Sequence, residues 1–150
     1  MRGFSDVYGS TSVDVEEVLR NTPLFSQLQK KDIKRLAAAL TERSYPAGAV
    51  VIEQGMPGVG LFVMGAGRAT ASVNGKAIRT FEAGDHFGEV ALIDKGARTA
   101  EIKADTDVDC FVLPAWHFRA IVTEHPDVAW ALLRSLVQRV VRDAEVPDQL

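Results

Sequence analysis

Hydrophobic positions recur with two different periods along this chain, and the period changes twice. Leu28, Ile33, Leu36, Ala37 and Leu40 fall at helical spacing and predict a helix from Gln29 to about Glu42. A shorter helix is predicted from Val13 to Arg20. Asn21-Thr22-Pro23 separates the two, because proline disfavours helix in the residue before it. After Tyr45 the character turns to β. Pro46-Ala47-Gly48 reads as a turn and Val50-Val51-Ile52 as a short strand-like run. Glycines then become dense, from Gly55 to Gly96, with short β-forming segments between them. Arg68 to Val73 and Lys76 to Phe81 flank Asn74-Gly75, a dipeptide favoured in type I′ hairpins because both central residues need positive φ. Ala100, Ile102 and Ala104 alternate onto one face, and Val108, Cys110 and Val112 do the same. At Pro114 the helical period returns. It predicts one helix from Trp116 to Glu124, ended before Pro126, and a longer one from Asp127 to about Arg142.

The order helix, short strands, helix predicts a mainly β fold with flanking helices, built as a small barrel or jelly roll. The last helix carries a wide apolar stripe: Ala129, Trp130, Leu132, Leu133, Leu136, Val137, Val140 and Val141. Most of it is expected to pack on the sheets, with surface left for a homodimer through this helix. Trp116 and Trp130 read as core residues, and Cys110 as a buried strand residue. The globular domain is expected over 13–142, with a flexible arm at 1–12 and a frayed tail at 143–150.

Bulk properties narrow the function. The 150 residues suffice for one domain with a core. A net charge of −3 supplies no global basic field, so neither nucleic acid nor an anionic membrane is expected as a partner. No apolar run is long enough to span a bilayer, and the first residues lack the apolar segment of a secretory signal. The single Cys110 cannot form an intramolecular disulfide, and a cytoplasmic location is expected. Asp85, His86 and Glu89 match no metal-ligand spacing, so no metal or cofactor is expected. His86 reads as a loop residue near a candidate pocket, and His117 and His125 show no relay. No catalytic triad, activated cysteine or Walker loop appears, so the chain is not expected to be an enzyme.

The remaining chemistry lies in FGEVALIDKGARTA, Phe87 to Ala100. Gly88 lets the backbone approach a ligand closely. A helix-like turn beginning near Glu89 would present free N–H groups, which suit a phosphate. Arg98, after the Asp94-Lys95-Gly96-Ala97 turn, could fold back and offer a guanidinium fork to the same phosphate. Glu89 could accept hydrogen bonds from a sugar hydroxyl. The residues by themselves leave a second reading open, a structural Glu89–Arg98 salt bridge, and pair chemistry alone favours it.

Phe87-Gly88-Glu89-Val90-Ala91-Leu92 with Arg98-Thr99-Ala100 resembles the phosphate-binding cassette of the cyclic-nucleotide-binding domain family. That family includes bacterial catabolite activator proteins and the regulatory subunits of cyclic-AMP-dependent protein kinase. The resemblance extends from Leu19 to Arg142. It takes in Thr22-Pro23-Leu24-Phe25, Tyr45-Pro46-Ala47-Gly48, Glu53-Gln54-Gly55, Ala66-Gly67-Arg68 and the Gly84-Asp85 lead-in. It implies a double-stranded β-helix, the family's β-roll, with N-terminal helices and C-terminal B and C helices. It also implies roles for individual residues. Glu89 would hold the ribose 2′-hydroxyl, and Arg98 the exocyclic phosphate oxygens. The amides of Gly88, Glu89 and Ala91 would add donors around Val90, and Thr99 would add a hydroxyl and an amide beside Ala100. Phe87, Ala69 and Ala71 are candidates for the base pocket, the two alanines being smaller than the family's usual residues. Val59 departs from a commonly polar position. Arg134, Arg139 and Arg142 are candidates for a lid. The resemblance favours a bacterial module that binds cyclic AMP, with cyclic GMP the other ligand, since Thr99 is compatible with either. The alternative is an interaction domain that keeps the fold without nucleotide. The chain ends soon after the last helix, so output is expected through a separate effector protein or a missing effector domain.

Overall fold

The twelve described elements run helices, strands, helices, the order that the hydrophobic periods predict. In the computed structural model the described residues are 13–55, 60–88 and 100–148, with the side chains of 140 and 142–148 outside the description. Helices α1 (Val15–Arg20) and α2 (Lys30–Ala39) lead into strands β1 (Thr41–Tyr45), β2 (Val50–Ile52), β3 (Gly60–Ala66), β4 (Ala69–Val73) and β5 (Lys76–Phe81). Strands β6 (His86–Phe87), β7 (Glu101–Ala104) and β8 (Val108–Pro114) follow, then helices α3 (Ala115–Glu124) and α4 (Pro126–Asp148). The strands form two four-stranded sheets, ordered β1-β8-β3-β6 and β2-β7-β4-β5, and every described strand pair is antiparallel.

The two sheets face each other across one core and the helices cover the outside of the first sheet with another. Phe62 and Met64 of β3 meet Ala69, Ala71, Phe81, Ile102 and Ala104 of the second sheet inside the roll. Their neighbours Leu61 and Val63 point the other way, onto Leu19, Phe25, Ile33, Phe118 and Val128 of the helical layer. The unbroken apolar run Leu61-Phe62-Val63-Met64 is therefore a strand buried on both faces. The alternations expected at Ile102/Ala104 and at Val108/Cys110/Val112 both point into the roll.

Local chemistry sets the ends of these elements. Asp14 caps α1 by accepting the N–H groups of Glu16 and Glu17 at 3.0 and 3.4 Å. Asn74 and Gly75 take φ of 51° and 84°, as a type I′ hairpin requires. The Gln54 carboxamide pins that turn, accepting from Asn74 N–H and donating to Asn74 Oδ1, both at 3.1 Å.

Three expectations change. The second helix stops at Ala39, and Thr41–Tyr45 pairs instead with Val108–Val112 of β8. That segment is largely exposed and has no apolar alternation, so only the ladder to β8 defines it. The last helix continues past Arg142 to Asp148, since Asp143, Ala144 and Glu145 do not break it. Trp116 and Trp130 are not core residues. They are 68% and 61% exposed, and Trp116 stacks on His117 with ring centroids 3.6 Å apart.

Cys110 is fully buried in the roll, and burial raises its thiol pKa from 9.0 to about 12. Above the pKa of the exposed thiol the unfolded chain loses this proton and the folded chain keeps it, so folding stability falls as pH rises. Between pH 9.0 and about 12 the protein should lose about 1.4 kcal/mol per pH unit relative to Cys110→Ala. Urea titrations across that range would measure the difference, and parallel pH profiles for the two proteins would refute it.

Candidate functional site

The lead-in to the FGEVALIDKGARTA stretch is held rigidly by backbone hydrogen bonds. Gly84 N–H donates to the Met64 carbonyl at 2.9 Å, and Met64 N–H donates to the Asp85 carbonyl at 2.8 Å. The Asp85 carboxylate accepts Glu82 N–H at 2.7 Å, closing the turn before β6. In β6, Phe87 lies opposite Phe62 and stacks on it with centroids 5.1 Å apart and planes 11° apart. Its other neighbour is Phe81, 5.0 Å away. Gly88 follows with φ of +91°, a conformation in which an L side chain is strained.

The described residues reach the stretch from both ends. Glu89, Val90, Ala91, Arg98 and Thr99 fall outside them. Ala100, half-buried, packs against the roll core, and β7 begins beside it. Ala69 and Ala71 are 0% and 4% exposed on β4. They stand opposite Ala104 and Ile102 on one side and Phe81 and Arg79 on the other. The three base-pocket candidates Ala69, Ala71 and Phe87 are thus gathered in the interior of one roll.

A cleft of about 390 Å³ separates β5 and β6 from the flank of α4. Arg134, exposed, and Arg139, half-buried, line it with His86, Ser135 and Arg79. The side chain of Arg142 lies outside the description. Arg79, Arg134 and Arg139 thus share one cleft with Asp85.

Arg79 lines this cleft, and the sequence motifs do not single it out. It stands opposite Ala71 and two residues before Phe81, on the strand face that turns to the roll interior. Its neighbour Ile78, the more hydrophobic residue, is 52% exposed. An arginine on the inner face with an isoleucine outside inverts normal burial. The signal that could have found it is the alternation in Lys76–Phe81, phased from Phe81.

His86 also differs from expectation. It belongs to β6, is 7% exposed and lies opposite Val63, on the face covered by the helices. Its Nε2 is 3.4 Å from Ser135 Oγ on α4.

A larger cavity, about 570 Å³, lies between α2 and the joint of α3 and α4. The Asp32 carboxylate forms part of its wall, 3.5 Å from His125 Nε2 and 3.6 Å from Arg35 Nη1. The contact with His125 joins α2 to the junction of α3 and α4, while the contact with Arg35 lies within α2. Among the described residues no cluster of His, Cys, Asp and Glu is arranged for a metal, and no helix is long and apolar enough to cross a membrane.

Comparison with known proteins adds to this geometry. The sequence model of the cyclic nucleotide-binding domain matches residues 42–125. The cAMP-dependent protein kinase regulatory subunit of Aspergillus niger is 35% identical over 115 residues, covering 75% of this chain and 28% of that protein. The chain thus spans well under a third of that relative's length. The catabolite activator protein of Thermus thermophilus superposes with a TM-score of 0.73 at 27% identity, over 84% of this chain and 61% of that one. The regulatory domain of Toxoplasma gondii PKA, solved with cAMP, superposes with a TM-score of 0.66 at 29% identity, over 71% of this chain and 42% of that one.

Proposed function

The chain belongs to the cyclic nucleotide-binding domain family, and on that premise we propose that it is a regulatory module whose ligand is cyclic AMP, taken up at Gly88 to Ala100. The domain is a ligand-binding one and not a catalyst. One observation carries the reading. The matched region, 42–125, contains the whole FGEVALIDKGARTA stretch, and its lead-in β6 delivers Gly88 with a φ of +91° from the roll core.

In this reading Arg98 binds the exocyclic phosphate oxygens in bidentate fashion and Glu89 takes the ribose 2′-hydroxyl. Amides of Gly88, Glu89 and Ala91 complete the phosphate cradle around Val90. Thr99 and Ala100 close it from the β7 side. The base enters the cleft between β5 and the α4 flank, where Arg134, Arg139 and Arg142 act as the lid, while Ala69 and Ala71 stay buried in the roll core and do not line that cleft. Occupancy shifts α4, and a separate effector or an attached domain reads that shift. The ligand can bias the equilibrium only by its differential affinity for the two positions of the helix.

Titration with cyclic AMP, cyclic GMP and linear AMP, by calorimetry and thermal shift, tests this. Cyclic AMP at 100 times its dissociation constant should stabilise the protein by about 2.7 kcal/mol. No response to either cyclic nucleotide would leave an interaction domain that has kept the fold.

We also propose a homodimer through α4. Trp130, Leu133, Val137 and Val141 are 61%, 49%, 60% and 52% exposed and recur along one side of the helix at the spacing of a coiled-coil seam. Sedimentation should give a dimer that Leu133→Glu converts to a monomer. A wild-type monomer at high concentration, with and without ligand, would end this proposal.

A further inference from the structure

The two residues of β6 point in opposite directions, as neighbours on a strand must. Phe87 turns into the roll and stacks on Phe62, while His86 lies opposite Val63, whose side chain belongs to the helical core. The short strand thus touches the roll interior with one residue and the helical layer with the next. Gly88, where the nucleotide-binding stretch begins its close approach, comes immediately after.

His86 is the exception in its surroundings. The sheet face it shares with Leu61, Val63 and Leu113 is otherwise packed with apolar side chains. A polar ring buried to 7% exposure in such a layer is normally hydrogen-bonded. One of its partners lies on α4: Ser135 Oγ, half-buried, 3.4 Å from Nε2. The hydroxyl can donate to the bare nitrogen or accept from its N–H, so either ring tautomer keeps the contact. Ser135 sits midway along α4, beside the lid candidate Arg134 and four residues before Arg139. The opposite end of the coupling is short and stiff. Asp85 and Gly84 are bonded to Met64, so β6 cannot shift without moving Phe87 and His86 together.

We propose that His86 is a positioning residue, linking the nucleotide-binding stretch to α4 through its contact with Ser135. The proposal rests on the reading of Gly88 to Ala100 as the nucleotide site. Occupancy there moves β6, and the imidazole passes that displacement to the middle of the helix. A phenylalanine at 86 could fill the same volume but could not hold the serine, so packing and coupling are separable at this position.

Hydrogen exchange of the α4 amides, with and without saturating cyclic AMP, tests the link in the wild-type chain and in Ser135→Ala, Ser135→Thr and His86→Phe. Without ligand, Ser135→Ala should speed exchange around residues 132–139 by about fivefold, the effect of one typical hydrogen bond. Cyclic AMP should alter α4 exchange in the wild type and in Ser135→Thr, which keeps the hydroxyl. In Ser135→Ala and His86→Phe the α4 response should be lost at cyclic AMP concentrations that calorimetry shows to saturate each variant. Ser135 is only half-buried, so Ser135→Ala covers the case in which His86→Phe fails to fold. An undiminished α4 response in Ser135→Ala with ligand bound would overturn the coupling. Failure of the wild type to bind cyclic AMP would instead overturn the nucleotide reading, and the coupling with it. The ligand-free exchange rates would then still report whether the contact holds α4.

Discussion

Arg98→Ala is expected to lose cyclic AMP affinity by about a hundredfold or more while the ligand-free protein keeps its unfolding midpoint. The guanidinium fork would make two charge-assisted hydrogen bonds to the cyclic phosphate, each worth about 1.5–3 kcal/mol. Losing both removes at least about 3 kcal/mol, and each 1.4 kcal/mol is tenfold in the dissociation constant. Arg98→Lys should fall between the two, because an ammonium keeps the charge without the fork. The competing reading, a structural ion pair with Glu89, predicts the reverse ordering. A surface pair contributes about 0–1 kcal/mol to stability and nothing to ligand affinity. Calorimetry and thermal unfolding on one preparation therefore separate the readings. A variant that binds cyclic AMP as the wild type does, but melts earlier, would make Arg98 a structural residue.

Phe62→Ala should produce the largest loss of stability, about 3–5 kcal/mol in urea unfolding. Phe62 is 2% exposed, stacks on Phe87 and lies at the centre of the roll core. Truncation forfeits the transfer free energy of the ring and leaves a cavity that two sheets cannot close. A domain of this kind has a net stability of about 5–15 kcal/mol, so the variant would be marginal. The loss should spread to function, because Phe87 rests on Phe62 and Gly88 follows Phe87. Saturating cyclic AMP should recover part of the stability but with weakened affinity. A loss below about 1 kcal/mol would mean that the roll repacks, and the link from core to site would have to be abandoned.

Much of the architecture is legible in the order of residues alone. The helix–β–helix order, the Asn74-Gly75 hairpin and the inward faces of β7 and β8 follow from local periods and turn chemistry, and they are observed. The stretch proposed to bind the ligand stands out by its resemblance to the family's cassette, since the pair chemistry of Glu89 and Arg98 alone favours a structural salt bridge. What escapes is decided by partners distant in sequence. Thr41–Tyr45 has no strand signal and becomes β1 only by pairing with β8. Trp116 and Trp130 have the composition of core residues but lie on helix faces that the sheets do not cover.

The sequence by itself determined where helices and strands form and which stretch could meet a phosphate, since these depend on residues within a turn or two of each other. Only the tertiary structure decided what those elements face. It turned Arg79 inward and Ile78 outward, set His86 against Ser135 across 49 positions of sequence, and brought three arginines to one cleft. The physical reason is register. A strand alternates its faces by rule, but which face becomes the inside is chosen by the sheet and helix that pack on it, and that choice belongs to the assembled fold.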